Sequence, residues 1–173
     1  LSAIRADLNQ TVEISCRVMK IVTDSQIKSL EERASLHSLS DGQRWALLTK
    51  SRVDELQRFL TDEKVEVLAC PRILTPSGQA ALIEVGTDSE SAFNGFRLSA
   101  NPHLIADSNV IRLNHSVQIG EMKPDSKVTS HESLVGSGQT LVLLIEQSGK
   151  DDVTPDRYVV LLTPEHLKEE EEK

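Results

Sequence analysis

The chain has 173 residues, of which 38% are apolar and 27% charged, a balance typical of a globular protein and not of a disordered one. Its net charge of -8 repels nucleic-acid phosphates, and aromatic residues make up only 3% of the chain, too few for a base-stacking platform. We therefore expect no nucleic-acid partner and a core built from Leu, Ile, Val and Ala.

The length is that of one ordinary domain, since two small domains would each be marginally stable. We predict a single domain over residues 1–167 and an acidic, disordered tail over residues 168–173, where four of six residues are glutamates. No run approaches the ~20 apolar residues of a spanning helix, so we expect no direct membrane span in this chain. The sequence begins at Leu1, and a leader or anchor could have been removed, which leaves the compartment open.

The first third of the chain predicts one strand and two helices. Residues 1–10 have a weak helical spacing and indicate a short helix or a frayed lead-in. From residue 11 to 22 the apolar residues alternate, which is typical of a strand with one buried face. That face carries Val12, Ile14, Cys16, Val18 and, as a further candidate, Lys20, with Met19 on the opposite face.

Two helical patterns follow. The first covers residues 24–37, or a shorter span if residues 35–42 loosen into a loop, and has Asp24 as its expected N-cap. The second follows Thr49 or Ser51 as the cap and is expected to bury Val53, Leu56, Phe59 and Leu60. Between the helices, residues 45–48 indicate a short strand or the approach to the second helix.

Residues 64–86 predict two strands around a turn. The first run is ended by Pro71 and resumes at Ile73 and Leu74, and the second alternates over residues 81–85 and stops at Gly86. The intervening letters TPSGQ combine a proline, which presets φ, with a glycine, which accepts positive φ. We expect these strands to form a hairpin.

The second half of the chain predicts further strands. Residues 87–95 are a polar loop, and residues 96–107 and 110–121 predict an antiparallel hairpin turning at Ser108 and Asn109. The polar region that follows could hold a short strand at residues 133–135. The apolar run QTLVLLIEQ predicts a central strand, and RYVVLLTPEHL predicts a last strand that halts near Pro164. Together these patterns predict an α+β fold with antiparallel or mixed β-sheets packed against two helices.

We assign no catalytic, metal-binding or cofactor-binding residue and expect no cofactor. His103 and His115 could approach each other across the predicted hairpin and, with Asp107, gather a metal, but scattered surface histidines are the commoner arrangement. Cys16 and Cys70 lie in apolar strand-like runs and are expected to be buried thiols, with a disulfide as the alternative. The acidic groups at residues 88–90 and 151–152 are expected to be solvated turns.

Several segments together resemble the secretin domain, the pore-forming domain of the outer-membrane channels of type II and type III secretion and type IV pili. In residues 56–86 a helix leads into a strand ending in Pro71-Arg72, followed by the TPSGQ turn and a second strand ending in Val85-Gly86, as in that family. Residues 11–22, 95–121, 136–147 and 157–167 resemble the family's opening strand, its hairpin, its "GqTlv" strand and its closing strand, in the same order.

The resemblance implies a non-enzymatic interaction or assembly module of a bacterial envelope or protein-secretion complex. The family's gate and membrane-crossing hairpins have no counterpart here, because only about ten polar residues separate Gly86 from Phe96. The implied partners are other proteins, or further copies of the chain, bound through β-edges. The alternatives are a diverged domain that binds a metal or a small molecule, and an accessory piece of a larger multidomain protein.

Overall fold

The computed structural model describes residues 10–39, 43–147 and 155–168. The α+β prediction is confirmed, since β-strands dominate and two helices accompany them. The helices in the described part of the chain are too short and too polar to cross a bilayer. In chain order the elements are β1 Thr11–Ile21, α1 Asp24–Ala34, β2 His37–Ser38, β3 Arg44–Leu48, α2 Lys50–Asp62, β4 Glu66–Ala69, β5 Arg72–Pro76, β6 Ala81–Asp88, β7 Phe93–Leu104, β8 Val110–Met122, β9 His131–Gly136, β10 Thr140–Gln147 and β11 Asp156–Leu167.

Three sequence predictions fall wholly or mostly outside these residues. They are the lead-in over residues 1–10, of which only Gln10 is described, the connection over 149–156 with its two aspartates, and the acidic tail over 168–173, of which only Lys168 is described.

The strands form two sheets. The seven-stranded sheet has the order β2-β3-β10-β11-β1-β4, with β5 also pairing with β1, and the four-stranded sheet has the order β6-β7-β8-β9. Spatial contacts divide the described residues into two compact units, one with residues 10–13, 73–137 and 164–168, the other with residues 14–39, 43–72, 138–147 and 155–163. The single domain over residues 1–167 stays a prediction.

The second unit is organised around β10, which is buried from Thr140 to Ile145 and pairs on one side with β3 and on the other with β11. This confirms the central strand predicted from its unbroken apolar run. Residues on one face of β10 and β11 join the apolar faces of both helices in one cluster. The buried members are Met19, Ile21, Ile27, Leu30, Ala34, Ala46, Leu48, Val53, Leu56, Leu60, Val142, Leu144, Val159 and Leu161.

The first helix begins one residue earlier than the sequence pattern indicated. Thr23, not Asp24, is the N-cap: its hydroxyl accepts a bond from the Gln26 N–H, and the Gln26 side chain accepts from the Thr23 N–H. This reciprocal capping box satisfies two backbone donors that a helix start leaves open. The helix ends at Ala34 because Ser35 adopts the left-handed conformation (φ 51°), so His37 lies in β2 and not in the helix as predicted.

Gln26 also connects the two helices. Its side chain is buried, and its amide nitrogen donates to the Glu63 carbonyl at the end of α2, with 3.3 Å between the two atoms. The second helix starts after Thr49, one of the two caps expected, although Thr49 makes no side-chain cap bond. Val53, Leu56 and Leu60 are buried as predicted, and Phe59 is partly buried against the same cluster.

Charged side chains tie α1 to the larger sheet. Glu146 of β10 accepts a bond from the Arg44 Nη2 atom at 3.0 Å and lies 3.9 Å from the Arg157 Nε atom. Arg44 also pairs with Glu31, and Arg157 with Asp24 at 2.5 Å, so both arginines reach from a strand to α1. Since these groups are partly exposed, each pair adds modest stability and the network mainly fixes the position of the helix.

The alternation of β1 is confirmed, with one change of phase. Val12, Ile14, Cys16 and Val18 are buried, but Met19 is buried as well and Lys20 is not. The pairing of β1 with β4 shifts register between Val18 and Met19, and such a bulge moves all later residues to the other face.

The expected hairpin over residues 64–86 is wrong, although its strands and its turn exist. β4 and β5 each pair with β1, whereas β6 pairs with β7. The turn is real: Gly78 has φ 84°, and the Gln79 N–H donates to the Pro76 carbonyl at 3.1 Å. The Gly78 N–H donates to Pro102 of β7, so the turn directs β6 toward β7 and not back onto β5.

The four-stranded sheet is an antiparallel meander. The predicted hairpin of β7 and β8 is confirmed, with partners running from Phe93 opposite Met122 to Leu104 opposite Ile111, and the short strand expected near residue 133 is β9. The polar loop expected over residues 87–95 is shorter, because β6 continues to Asp88 and β7 starts at Phe93. Cross-strand pairing supplies the backbone partners that a loop would lack.

The last strand does not halt near Pro164. β11 continues to Leu167, because Pro164 lies beyond the last pair of its ladder with β10, Leu141 opposite Leu162. A proline is compatible with a strand where no ladder bond requires its missing N–H. The His166 N–H beyond it donates to the Ser137 hydroxyl at 2.9 Å.

Gly86 and Gly95 face each other across β6 and β7, where the two backbones approach closely. A Cβ atom on Gly95 would lie 2.2 Å from the Val85 carbonyl oxygen, and one on Gly86 would lie 2.3 Å from the Asn94 carbonyl oxygen. Both distances are far below van der Waals contact. Only glycine fits at either position, and Gly120 continues this row on β8.

We expect Gly95→Ala to lower the free energy of unfolding by about 2–4 kcal/mol, because the new methyl group must push apart two paired backbones. Urea denaturation measures this change. Gly78→Ala is the matched control: its nearest neighbour lies 3.7 Å away, so only the left-handed φ is penalised, by about 1–2 kcal/mol. An equal or smaller loss for Gly95→Ala would show that the close approach does not exist in solution.

Candidate interaction edges

The outer strands of the four-stranded sheet are β6 and β9. In the described part of the chain each pairs with a strand on one side only, and the meander makes them antiparallel to each other. Large apolar side chains stand in solvent on both strands: Leu82 is 57% exposed, Val85 42% and Leu134 58%. Exposed apolar residues on an outer strand are typical of a surface that pairs with another chain.

One carboxylate on each outer strand is held by an arginine of the adjacent inner strand. Glu84 of β6 accepts a bond from the Arg97 Nε atom at 2.7 Å, and Glu132 of β9 lies 4.0 Å from the Arg112 Nε atom. Charges on outer strands usually oppose association between chains. Here the paired arginines offset both negative charges, which reduces that repulsion.

A third edge, β4, ends the order of the seven-stranded sheet. It has four residues, of which Val67 and Leu68 point to opposite sides and are both substantially exposed. Its length limits it to a few backbone bonds with a partner, fewer than the eight residues of β6 allow.

The proposed approach of His103 and His115 is wrong. The register places His103 opposite Arg112, whereas His115 lies opposite Ala100 on β7 and His131 on β9. In this register the even-numbered residues of β7 share a face with the odd-numbered residues of β8. His103 and His115 therefore lie on opposite faces of the sheet. Asp107 lies in the β7–β8 turn with φ 58°, and no cluster of three or more His, Cys, Asp or Glu occurs among the residues that the structure describes.

His115 is nevertheless unusual. It is 3% exposed, its Nδ1 atom lies 3.4 Å from the Leu113 carbonyl oxygen, and its Nε2 atom has no hydrogen-bond partner in the described part of the chain. Burial is the main cause that lowers its pKa from 6.5 to about 4, and His131 lowers the pKa further. The imidazole ring is therefore neutral at physiological pH.

Sequence reasoning missed this pair, because residues 115 and 131 are separated by a loop and only the β8–β9 register brings them together. Their rings lie with centroids 6.1 Å apart. The exposed edge has a weak signature in the sequence. Leu82 and Ile83 are consecutive apolar residues, so one apolar side chain lies on each face of the strand.

The two cysteines are both free thiols, and only one is buried. Cys16 is buried, which raises the pKa of its thiol to about 12, whereas Cys70 is exposed, so the expectation of two buried thiols is wrong for Cys70. The Cys16 N–H donates to the carbonyl of Pro71, the residue that follows Cys70, and the alternative of a disulfide is not realised.

Two shallow grooves have the volume of a small ligand but not the lining of a built site. One of about 420 Å³ lies beside α2 and is lined by Arg17, Asp54 and Arg58 among others. The other, of about 320 Å³, adjoins the β6–β7 turn and includes Asp88 and Glu90, which were expected to lie in a solvated turn and are exposed. Pockets that bind small molecules are more enclosed and predominantly apolar.

No protein-family model and no curated protein matches the chain. Among solved structures it is similar to the secretin in the ETEC pilotin–secretin complex AspS–GspD (TM-score 0.42, 12% identity, 92% of this chain and 48% of that chain). It is also similar to the type II secretin GspD from enteropathogenic Escherichia coli (0.41, 12%, 92% and 67%). A third similar structure is the Klebsiella pneumoniae type II secretion system outer membrane complex (0.41, 11%, 92% and 39%).

These are structures of the family that the sequence motifs resemble. The chain spans about half the length of the first of them.

We expect acid to destabilise the protein through His115. A folded pKa of about 4 against 6.5 in the unfolded chain means that the unfolded state binds more protons between these values. The free energy of unfolding is therefore fully retained above pH 6.5. It decreases as the pH falls toward 4, by up to about 3 kcal/mol.

Urea denaturation between pH 4 and 7.5 measures this loss. His115→Leu should flatten the profile, because it removes the titrating ring, and His103→Leu on the same sheet is the matched control for loss of a histidine. A profile as steep in His115→Leu as in the native chain would contradict this assignment.

Proposed function

We propose that this chain is a non-enzymatic, secretin-like assembly module of a protein-secretion complex in the bacterial envelope, and that it associates with copies of itself through β6 and β9. The observation that carries the proposal is the pair of outer strands with exposed apolar side chains. The sequence motifs that resemble the secretin domain indicate the setting, and the outer strands indicate the means of association.

The direction of the strands suits a continuous sheet across copies. Because β6 and β9 are antiparallel, β9 of one copy beside β6 of the next would continue the alternation of the meander. Such head-to-tail contacts use two different surfaces, so they generate a ring where the rotation closes.

The side chains of the two strands also suit such pairing. Leu82 and Leu134 lie on the same face of the sheet, so they would come together across a β9–β6 contact. Leu134 is a neighbour of Glu132 on that face, and Leu82 of Glu84, which means that the register must avoid placing the carboxylates opposite each other. Their pairing with Arg112 and Arg97 lessens this constraint.

Light scattering over a concentration series tests the proposal. We expect species heavier than the 19.1 kDa monomer, with a defined mass that Leu82→Lys or Leu134→Lys reduces to the monomer. The charged side chains would be placed against an apolar neighbour without changing the buried face of the sheet.

Val22→Lys is the matched control, because Val22 is 75% exposed and lies between β1 and α1, in the compact unit that does not contain β6 and β9. A native chain that stays monomeric up to its solubility limit would refute self-association. An oligomer that neither leucine variant reduces would place the contact elsewhere.

A further inference from the structure

The buried face of the four-stranded sheet contains one polar pair among apolar rows. His115 and His131 are directly opposite each other in the β8–β9 register, and Ala100 flanks His115 on the other side. The adjacent row on β7 and β8 is Leu98 opposite Val117. Two imidazoles thus lie opposite each other in a row whose neighbours on β7 and β8 are apolar.

The Nε2 atom of His115 is the unexplained feature of this row. It is buried and has no hydrogen-bond partner in the part of the chain that the structure describes. A buried polar atom without a partner destabilises the fold relative to one that is satisfied. Such an atom in a native protein needs an explanation, and a bound water or ion is one of those that apply.

We propose that His115 and His131 together bind a divalent transition-metal ion of the class that takes imidazole ligands, such as zinc or copper. This site shares β9 with the edge proposed for self-association but lies on the opposite face of the sheet from Leu134, and it does not depend on that association.

The separation of the two rings fits one bridging ion. Zinc lies about 2.0–2.1 Å from an imidazole nitrogen, so the facing nitrogens of a two-histidine site are about 3–4 Å apart. The ring centroids are 6.1 Å apart, and each ring nitrogen lies on the perimeter of its ring, so rotation of the two side chains can bring one nitrogen of each ring toward a shared ion. Directly opposed residues on antiparallel strands hold their Cβ atoms close together, so the backbone need not move.

The access path also suits a metal. His131 is half-buried at the first residue of the outer strand β9, where an ion can enter from solvent. Two protein ligands leave coordination positions for water, which is typical of an open site and not of a closed structural one.

Thermal unfolding of the purified chain with zinc chloride alone tests the site. We expect Tm to rise by about 5–10 °C at zinc concentrations a hundredfold above Kd, because an ion that binds only the folded state stabilises it. His131→Ala should abolish the rise, since it removes one ligand at a half-buried position where folding is retained. His103→Ala should keep it, because His103 lies opposite Arg112 and takes no part in the row.

Isothermal titration of the same three proteins with zinc chloride gives a second measurement that does not depend on unfolding. One ion per chain is expected for the native protein and for His103→Ala, and at least a tenfold weaker Kd for His131→Ala. Equal zinc affinity in His131→Ala and the native chain, or no binding to the native chain, would overturn the proposal.

Discussion

The pairing of β7 with β8 is the interaction on which the four-stranded sheet depends. Their ladder runs without a break from Phe93 opposite Met122 to Leu104 opposite Ile111. Because side chains alternate between faces, this register decides which residues of β7 and β8 share the buried face. It places His115 on the buried face beside β9, and it leaves β6 and β9 as the outer strands.

Much of the fold follows from local sequence patterns. Alternation located β1, β7 and β8, an unbroken apolar run identified β10 as a central strand, and helical spacing found both helices. These patterns are reliable because burial imposes them within a few residues of sequence. The elements were therefore predictable. A boundary was predicted wrongly where a single local contact sets the end of the element, as at the start of α1, where Thr23 and not Asp24 is the N-cap.

Pairing between strands was less predictable, because it depends on residues far apart in sequence. The residues around Gly78 are typical of a hairpin turn. However, the Gly78 N–H donates to the Pro102 carbonyl of β7, so β6 pairs with β7 and not with β5. The prediction that His103 and His115 lie close together was wrong for the same reason. The register of β7 and β8 depends on the turn between them, and no local sequence pattern indicates it. The real neighbour, His131, lies across a loop of polar residues that carry no periodicity.

Strand β9 contributes different residues to the proposed association edge and to the proposed metal site. On β9, Leu134 faces solvent and belongs to the proposed association edge, whereas His131 lies on the opposite face beside His115. An outer strand has only one neighbour to hold it, so its order is sensitive to every contact that it makes. A metal bridge from His131 to β8 would fasten the start of the same strand that offers Leu134 to a partner.

The buried Gln26 has a consequence for how the helical part of the molecule opens. Its side-chain oxygen accepts bonds from the Val22 and Thr23 N–H groups at the start of α1. Its side-chain nitrogen donates to the Glu63 carbonyl at the end of α2. Neither helix end can fray without exposing the buried amide that serves the other. The two helices should therefore exchange their amide protons as one cooperative unit, with a common opening free energy, although 37 residues separate the two partners in sequence.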